Sequence, residues 1–206
     1  DIPIIACAGQ GDEEHATGFY PDVLPTFNFY PFSNSLRFEQ VAYQKYKELY
    51  KRELPLFVTE TNRATNQLRR LLYSGVKLLG PYNQVGGTNF GFTNAINNWG
   101  DPLTFLTSDY DFGGLIGPKG QTSKDVMESK LFAKFIQTHH RYLAEAIVSD
   151  FHFSYTGEAT QELNFIMEWP NGAQVYTLSN FEHTTPVEIE WKGTKLPQKA
   201  TVTLPA

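Results

Sequence analysis

The chain has 206 residues, with 17 Lys and Arg against 22 Asp and Glu, and its formal net charge is −5. It has no basic stripe for phosphate contacts and no apolar run near the roughly 20 residues of a membrane-spanning helix, so we expect neither nucleic acid nor a membrane as a partner. The one cysteine, Cys7, excludes an internal disulfide, and no Cys/His cluster has the spacing of a metal site, so no metal is expected.

The first 150 residues alternate short apolar runs with helical patterns. The predicted strands are 2–8, 24–30, 54–59 and 76–85, and the predicted helices are about 35–50, 62–73 and 125–148. The first run is almost continuously apolar, which is typical of a strand covered on both faces. Because strands that alternate with helices pair in parallel, this part of the chain is predicted to be an α/β layer structure.

After residue 150 the helical period disappears, and apolar and polar residues alternate in short segments. Pro170-Asn171-Gly172 joins two of these segments and is a good hairpin signal. We therefore predict two domains, residues 1–150 and an antiparallel β module over 151–206. The module is small, so either the chain stops inside it or a neighbour completes it.

Glu60 is the best single candidate for chemistry. It follows the apolar run 54–59, and ligand sites of parallel α/β folds lie where the strands end. An acidic residue at a strand end is more often a salt-bridge or capping group than a catalytic one. The next predicted strand, however, leads into 82–91, which is dense in rings, glycines and side chains that can hydrogen-bond hydroxyl groups.

The same region carries a resemblance to a known family. The run VGGTNFGFT at 85–93, followed by TSDYD at 107–111, resembles the strand-eight region of the glycoside hydrolase family 35 β-galactosidases. The resemblance covers about residues 1–148. It implies that they form the C-terminal half of a (β/α)8 TIM barrel, strands five to eight, followed by part of an antiparallel β domain. It also implies that Glu60 is the catalytic nucleophile and that Tyr82 lies against the bound galactose.

The sequence departs from the family pattern in three places. Residues 61–65 (TNRAT) replace an aromatic residue and a Gly-Trp pair, which weakens any inference about the sugar accepted. The segment 107–111 is displaced by one residue, so either Tyr110 or Asp111 holds the place of a family tyrosine; Tyr110 is preferred because the ring contacts sugar. The family acid/base lies in an Asn-Glu pair, which this sequence lacks. We therefore expect the missing N-terminal half of the barrel as a partner that supplies it.

The resemblance implies a retaining exo-glycosidase that removes terminal β-linked galactose and needs no cofactor. The predicted substrate-binding residues are Tyr82, Asn89, Trp99 and Tyr110, although Trp99 either stacks on a sugar or pins its loop. Two alternatives stay open: a non-catalytic carbohydrate-binding or interaction protein on a degenerate barrel, and a glycosidase for another β-linked sugar. No signal-peptide pattern follows Asp1, so only the resemblance suggests a secreted or periplasmic protein.

Overall fold

A computed structural model describes residues 2–7, 22–30, 35, 37–94, 108–151, 154–156, 164–177, 185–192 and 197–204. Within these ranges the chain forms three α-helices and twelve strands. The helices are α1 (Arg37–Tyr50), α2 (Thr65–Tyr73) and α3 (Val126–Glu145). The strands are β1 (Ile4–Cys7), β2 (Val23–Phe29), β3 (Leu56–Asn62), β4 (Val76–Tyr82), β5 (Gly87–Thr88), β6 (Asp109–Tyr110), β7 (Ile147–Phe151), β8 (Ser154–Thr156), β9 (Asn164–Glu168), β10 (Gln174–Thr177), β11 (Thr185–Lys192) and β12 (Pro197–Leu204).

The chain divides into two compact units that interleave along the sequence. The first comprises Asp1–Tyr30, Phe57–Arg69 and Leu78–His139, and the second comprises Pro31–Leu56, Arg70–Lys77 and His140–Ala206. The domain boundary predicted near residue 150 stays a prediction.

The first unit contains a parallel sheet of four strands in the order β1-β2-β3-β4. The predicted parallel pairing is therefore confirmed, and the spatial order follows the chain order. Residues on the covered face, such as Phe27 and Val58, are 5% and 0% exposed. The two residues are also opposite each other in the β2–β3 register, so one cross-strand pair forms part of the core.

The prediction that the first strand is covered on both faces is wrong for this chain. Ile4 and Ile5 of β1 expose 61% and 46% of their surfaces. The physical reason is position: β1 is an edge strand that pairs with β2 on one side only within the described sheet. The apolar run still forms a strand, because its backbone pairs in register with β2, from Ile4 opposite Val23 to Cys7 opposite Thr26.

The segment between β4 and α3 contains short paired elements where it is described. Gly87 and Thr88 of β5 pair with Tyr110 and Asp109 of β6 in an antiparallel ladder. A 3₁₀ turn, Phe90–Phe92, follows β5. The ladder fixes Tyr110 relative to the end of β4, because β5 begins only five residues after Tyr82 in the chain.

The second unit contains α1 and two antiparallel sheets, in the orders β10-β9-β7 and β12-β11-β8. The predicted antiparallel pairing and the hairpin at 170–172 are confirmed, since β9 and β10 pair in antiparallel fashion across that turn. Gly172 has a φ of 82°, a left-handed conformation that favours glycine. Helix α1 packs on β9, with the Tyr43 and Phe165 ring centroids 4.8 Å apart.

The third helix ends three residues before the predicted end. Helix α3 stops at Glu145, and Ile147 and Val148, which were predicted as helical, pair with β9 instead. The Lys77 ammonium donates hydrogen bonds to the carbonyl oxygens of Leu143 (2.8 Å) and Ala146 (2.6 Å) and so caps the helix. The two β-branched residues then continue as a strand, a conformation that suits their side chains.

Candidate active site

Glu60 lies in the last part of β3, at the carboxyl end of the parallel sheet. The structure extends this strand to Asn62, so Glu60 is inside the strand and not directly after it. Its side chain is half-buried, while its neighbour Thr61 is fully buried. The alternation follows from the pleat of the strand, which sends successive side chains to opposite faces. Glu60 therefore points away from the face that buries Thr61.

Tyr30 contacts Glu60 directly. Tyr30 is the first residue after β2, and its hydroxyl donates a 2.7 Å hydrogen bond to Oε1 of Glu60. Among the described residues, no lysine, arginine or histidine forms an ion pair with this carboxylate. A neutral donor, the Tyr30 hydroxyl, thus orients the Glu60 carboxylate.

Two more tyrosines and a phenylalanine complete what we name the Glu60 cluster: Tyr30, Glu60, Tyr82, Tyr110 and Phe112. The hydroxyl groups of Tyr82 and Tyr110 hydrogen-bond each other, and their rings meet edge to face at 6.5 Å. The Phe112 ring lies 5.8 Å from the Tyr82 ring and 5.1 Å from the Tyr110 ring. The Glu60 cluster therefore draws its residues from the ends of four strands, β2, β3, β4 and β6, and from the loop after β6.

Electrostatics connect the tyrosines to the carboxylate. Burial raises the pKa of Tyr30 well above its ordinary value, and the hydrogen bond to Glu60 and the Glu60 charge raise it further. Burial, the hydrogen bond with Tyr110, and the charges of Tyr110 and Glu60 raise the pKa of Tyr82 to about 12. Both phenols therefore stay protonated at neutral pH, where they can donate hydrogen bonds to oxygen atoms.

A polar network beneath the cluster ties the strands together. The Thr26 and Thr59 hydroxyl groups are 2.9 Å apart, and the Thr61 hydroxyl donates to the carbonyl of Phe29 at 2.5 Å. These side-chain bonds join β2 and β3 in addition to the backbone hydrogen bonds between the two strands. They fix the carboxyl ends of the two strands that carry Tyr30 and Glu60, which keeps the hydrogen-bonded pair in place.

The other predicted site residues have different outcomes. Tyr110 contacts Tyr82, whereas the Asp111 carboxylate accepts a 3.0 Å hydrogen bond from the Gly114 amide. Between the two candidates for the family tyrosine, the structure thus brings Tyr110 to the cluster. Asn89 donates to the carbonyl of Thr93 at 2.8 Å and stabilises its own turn. Trp99 lies outside the described residues.

Tyr30 is the site residue that the sequence reasoning missed. The signal was present, because Tyr30 ends a predicted strand and ligand sites gather at such ends. Its ring type alone did not distinguish it among 11 tyrosines. Only the parallel register of β2 and β3, which sets Asn28 opposite Glu60, brings Tyr30 to the carboxylate.

Within the described ranges, no three His, Cys, Asp or Glu side chains are grouped so that they could hold a metal ion. None of the helices in the described ranges is both long enough and apolar enough to cross a membrane. Comparison of the sequence with protein-family models and with curated proteins found no match.

Proposed function

We propose that this chain forms part of a retaining exo-β-galactosidase resembling glycoside hydrolase family 35, with Glu60 as the nucleophile. The observation that supports this best is the Glu60 cluster. A carboxylate at the end of a parallel strand accepts one phenol hydrogen bond at 2.7 Å, and its charge also acts on the phenol of Tyr82. Carboxylates and aromatic rings at strand ends are what a glycosidase needs to attack and orient a sugar.

The geometry suits a nucleophile. The Tyr30 hydroxyl occupies Oε1 of Glu60, which leaves Oε2 to form the bond to the anomeric carbon as the glycosidic bond breaks. In a retaining mechanism a second carboxyl group, about 5–5.5 Å away, protonates the leaving oxygen and then activates water to release the sugar. We assign that role to the N-terminal half of the barrel, because the sequence contains no Asn-Glu pair.

The sheet supports the half-barrel interpretation. Its four parallel strands follow one another in space as in the chain, which is the order in a (β/α)8 barrel, whereas a doubly wound sheet reverses its order at a switch point. In this proposal β1 to β4 are barrel strands five to eight, residues 1–150 belong to the barrel, and 151–206 begin a β domain. The exposed edge strand β1 would pair with strand four.

The aromatic side chains of the cluster would form the donor-sugar site. Tyr82 exposes 38% of its surface, so its ring remains accessible to a ligand next to Glu60. Tyr110 holds the Tyr82 hydroxyl and would share the hydrogen bonds to the sugar. Trp99 and Asn89 keep their proposed binding roles. The sugar is a β-galactoside or a related carbohydrate.

The test uses the protein that carries both halves of the barrel. The wild type should hydrolyse a nitrophenyl β-galactoside and release the β-anomer first, as read by proton NMR. Glu60→Gln should lower kcat by roughly a thousandfold or more while the circular dichroism spectrum stays unchanged. Binding of galactose without hydrolysis would favour the carbohydrate-binding alternative. Hydrolysis of a different β-linked sugar in a substrate panel would favour another glycosidase specificity.

A further inference from the structure

A cavity lies in the first unit, and none of the residues that line it belongs to the Glu60 cluster. Its volume is about 150 Å³. Most of its wall is apolar and comes from α2, β4, α3 and the loop before α3. The apolar wall residues include Leu68, Leu79, Leu115, Phe132 and Ile136. Apolar cavities of about this volume can hold a benzene-sized molecule, so the space fits one ring.

Three polar residues also line this cavity. Arg63, Gln84 and Ser129 contribute to the lining, and the Ser129 hydroxyl is already hydrogen-bonded to Thr65 at 2.9 Å. The Arg63 guanidinium has one charged partner among the described residues, Asp125, with 3.7 Å between Nη1 and Oδ2. That separation exceeds the roughly 2.7–2.9 Å of a charge-assisted hydrogen bond. The guanidinium therefore keeps most of its five donors for another acceptor.

We infer that this cavity binds a small carboxylic acid whose apolar body is about one ring in size. The carboxylate would accept two parallel hydrogen bonds from Arg63, whose side chain is only 24% exposed and hence partly desolvated. The ring would fill the apolar part of the cavity. A sugar is a poor occupant, because its hydroxyl groups would face the apolar wall without hydrogen-bond partners.

Ala133 provides a way to block the cavity without touching the core. It lines the cavity from α3 but is itself exposed, so a larger side chain there has room to be placed without a buried clash. The Ala133→Phe variant would put a ring into the space that the ligand needs. Arg63→Gln removes the charge, and Asp125→Asn removes the carboxylate that competes for Arg63.

The experiment titrates the chain with benzoate and follows the methyl NMR signals of the wall leucines and Ile136. We expect saturable shifts with a millimolar Kd, a value within reach of so small a ligand. Arg63→Gln should weaken benzoate binding about tenfold, and Asp125→Asn should strengthen it. Ala133→Phe should abolish the shifts. Benzyl alcohol, which lacks the charge, and acetate, which lacks the ring, should each bind at least about tenfold more weakly.

Several results would overturn the inference. These are an absence of shifts up to about 20 mM benzoate, undiminished shifts in a folded Ala133→Phe variant, and equal affinity for benzyl alcohol. The amide spectrum of each variant shows whether it is folded. Binding is read without turnover, so the outcome is independent of whether the chain belongs to a galactosidase.

Discussion

The hydroxyl of Tyr30 donates a 2.7 Å hydrogen bond to Oε1 of Glu60, and the two residues come from neighbouring parallel strands. The pairing depends on a register shift between Phe27 and Asn28: Phe27 lies opposite Val58, but Asn28 lies opposite Glu60, so Thr59 is skipped. Because successive residues of a strand alternate in direction, a skipped residue changes which side chains share a face. The irregularity thus helps to decide what lies beside Glu60.

We predict that Tyr30→Phe lowers kcat/KM of the full enzyme on a nitrophenyl β-galactoside about 10- to 100-fold. The variant keeps the ring but removes the donor that orients the Glu60 carboxylate. The matched control is Tyr50→Phe, which removes a hydroxyl from an exposed tyrosine on α1 and should leave kcat/KM unchanged.

A purely structural role for Tyr30 would give a different pattern. The melting temperature would then fall, while kcat/KM of the protein that remains folded would equal that of the wild type. Full activity in a folded Tyr30→Phe enzyme would remove Tyr30 from the site.

Burial lowers the pKa of Lys77 to about 8, from 10.5 for the free side chain. Between these values the unfolded chain binds a proton that the folded chain has lost, so the free energy of unfolding should rise with pH. Tyr30 and Tyr82 have the opposite effect on the free energy of unfolding above pH 10.0. There the phenols of the unfolded chain lose protons that the folded chain still holds, so the free energy of unfolding falls as the pH rises. The effect of Lys77 is therefore separated from the effect of the two tyrosines in the window from pH 8 to 10.0.

We expect the Lys77→Met variant to lack that rise in urea unfolding experiments across the window. Lys130→Met, at an exposed position of α3, is the control and should keep the wild-type slope. An equal change in the free energy of unfolding with pH in the wild type and in Lys77→Met would contradict the prediction.

The end of α3 shows where sequence periodicity reaches its limit. The apolar residues after Glu145 continue the helical spacing, which is why the predicted helix ran to Val148. What ends the helix is Lys77, whose ammonium binds the Ala146 carbonyl from 69 residues away in the chain. A local pattern contains no information about such a distant capping group. The parallel sheet was predictable because each of its strands is a separate apolar run.

The candidate site was predictable to a similar degree. Glu60 and Tyr82 stand at strand ends and within a recognisable run, so the sequence alone selected them. Tyr30 can be identified only when the register of β2 and β3 is known, and Arg63 only when the residues that line the cavity are known. Both are consequences of tertiary packing, which residue spacing does not encode.

The buried ion pair between Glu39 and Arg70 yields a stability prediction. Their side chains are 5% and 8% exposed, and Arg70 also donates to the Ser35 carbonyl at 2.6 Å. Arg70→Met should lower the free energy of unfolding by about 3–5 kcal/mol, because it leaves a buried carboxylate without its partner. The adjacent Arg69 pairs with Glu128 at 3.0 Å, but both side chains are over 40% exposed. Arg69→Met should therefore cost less than about 1 kcal/mol in the same urea titration. Equal losses in both variants would refute the burial argument.

Alanine substitutions at Gly75 and Gly120 distinguish two costs of an added methyl group, backbone strain and a steric clash. Its φ is 103°, and a Cβ there would lie 2.3 Å from Cδ2 of the Tyr46 ring. Gly120 has a φ of 78° but open space around it. Gly120→Ala should cost about 1 kcal/mol of stability from backbone strain alone. Gly75→Ala should cost at least about 2 kcal/mol, because it also displaces the ring whose hydroxyl binds the Val148 amide at 3.1 Å. Similar losses in thermal melts would show that the Tyr46 ring yields freely.

If Glu60 is the nucleophile, its carboxylate forms a covalent bond to the sugar, and that bond can be trapped and identified. The complete enzyme would be inactivated with a 2-deoxy-2-fluoro-β-galactosyl fluoride and digested, and the labelled peptide identified by mass spectrometry. We expect one added fluorogalactosyl group on the peptide containing Glu60, and none in Glu60→Gln. A label on a different carboxylate, or turnover with no trapped intermediate, would refute the role of Glu60 as the nucleophile.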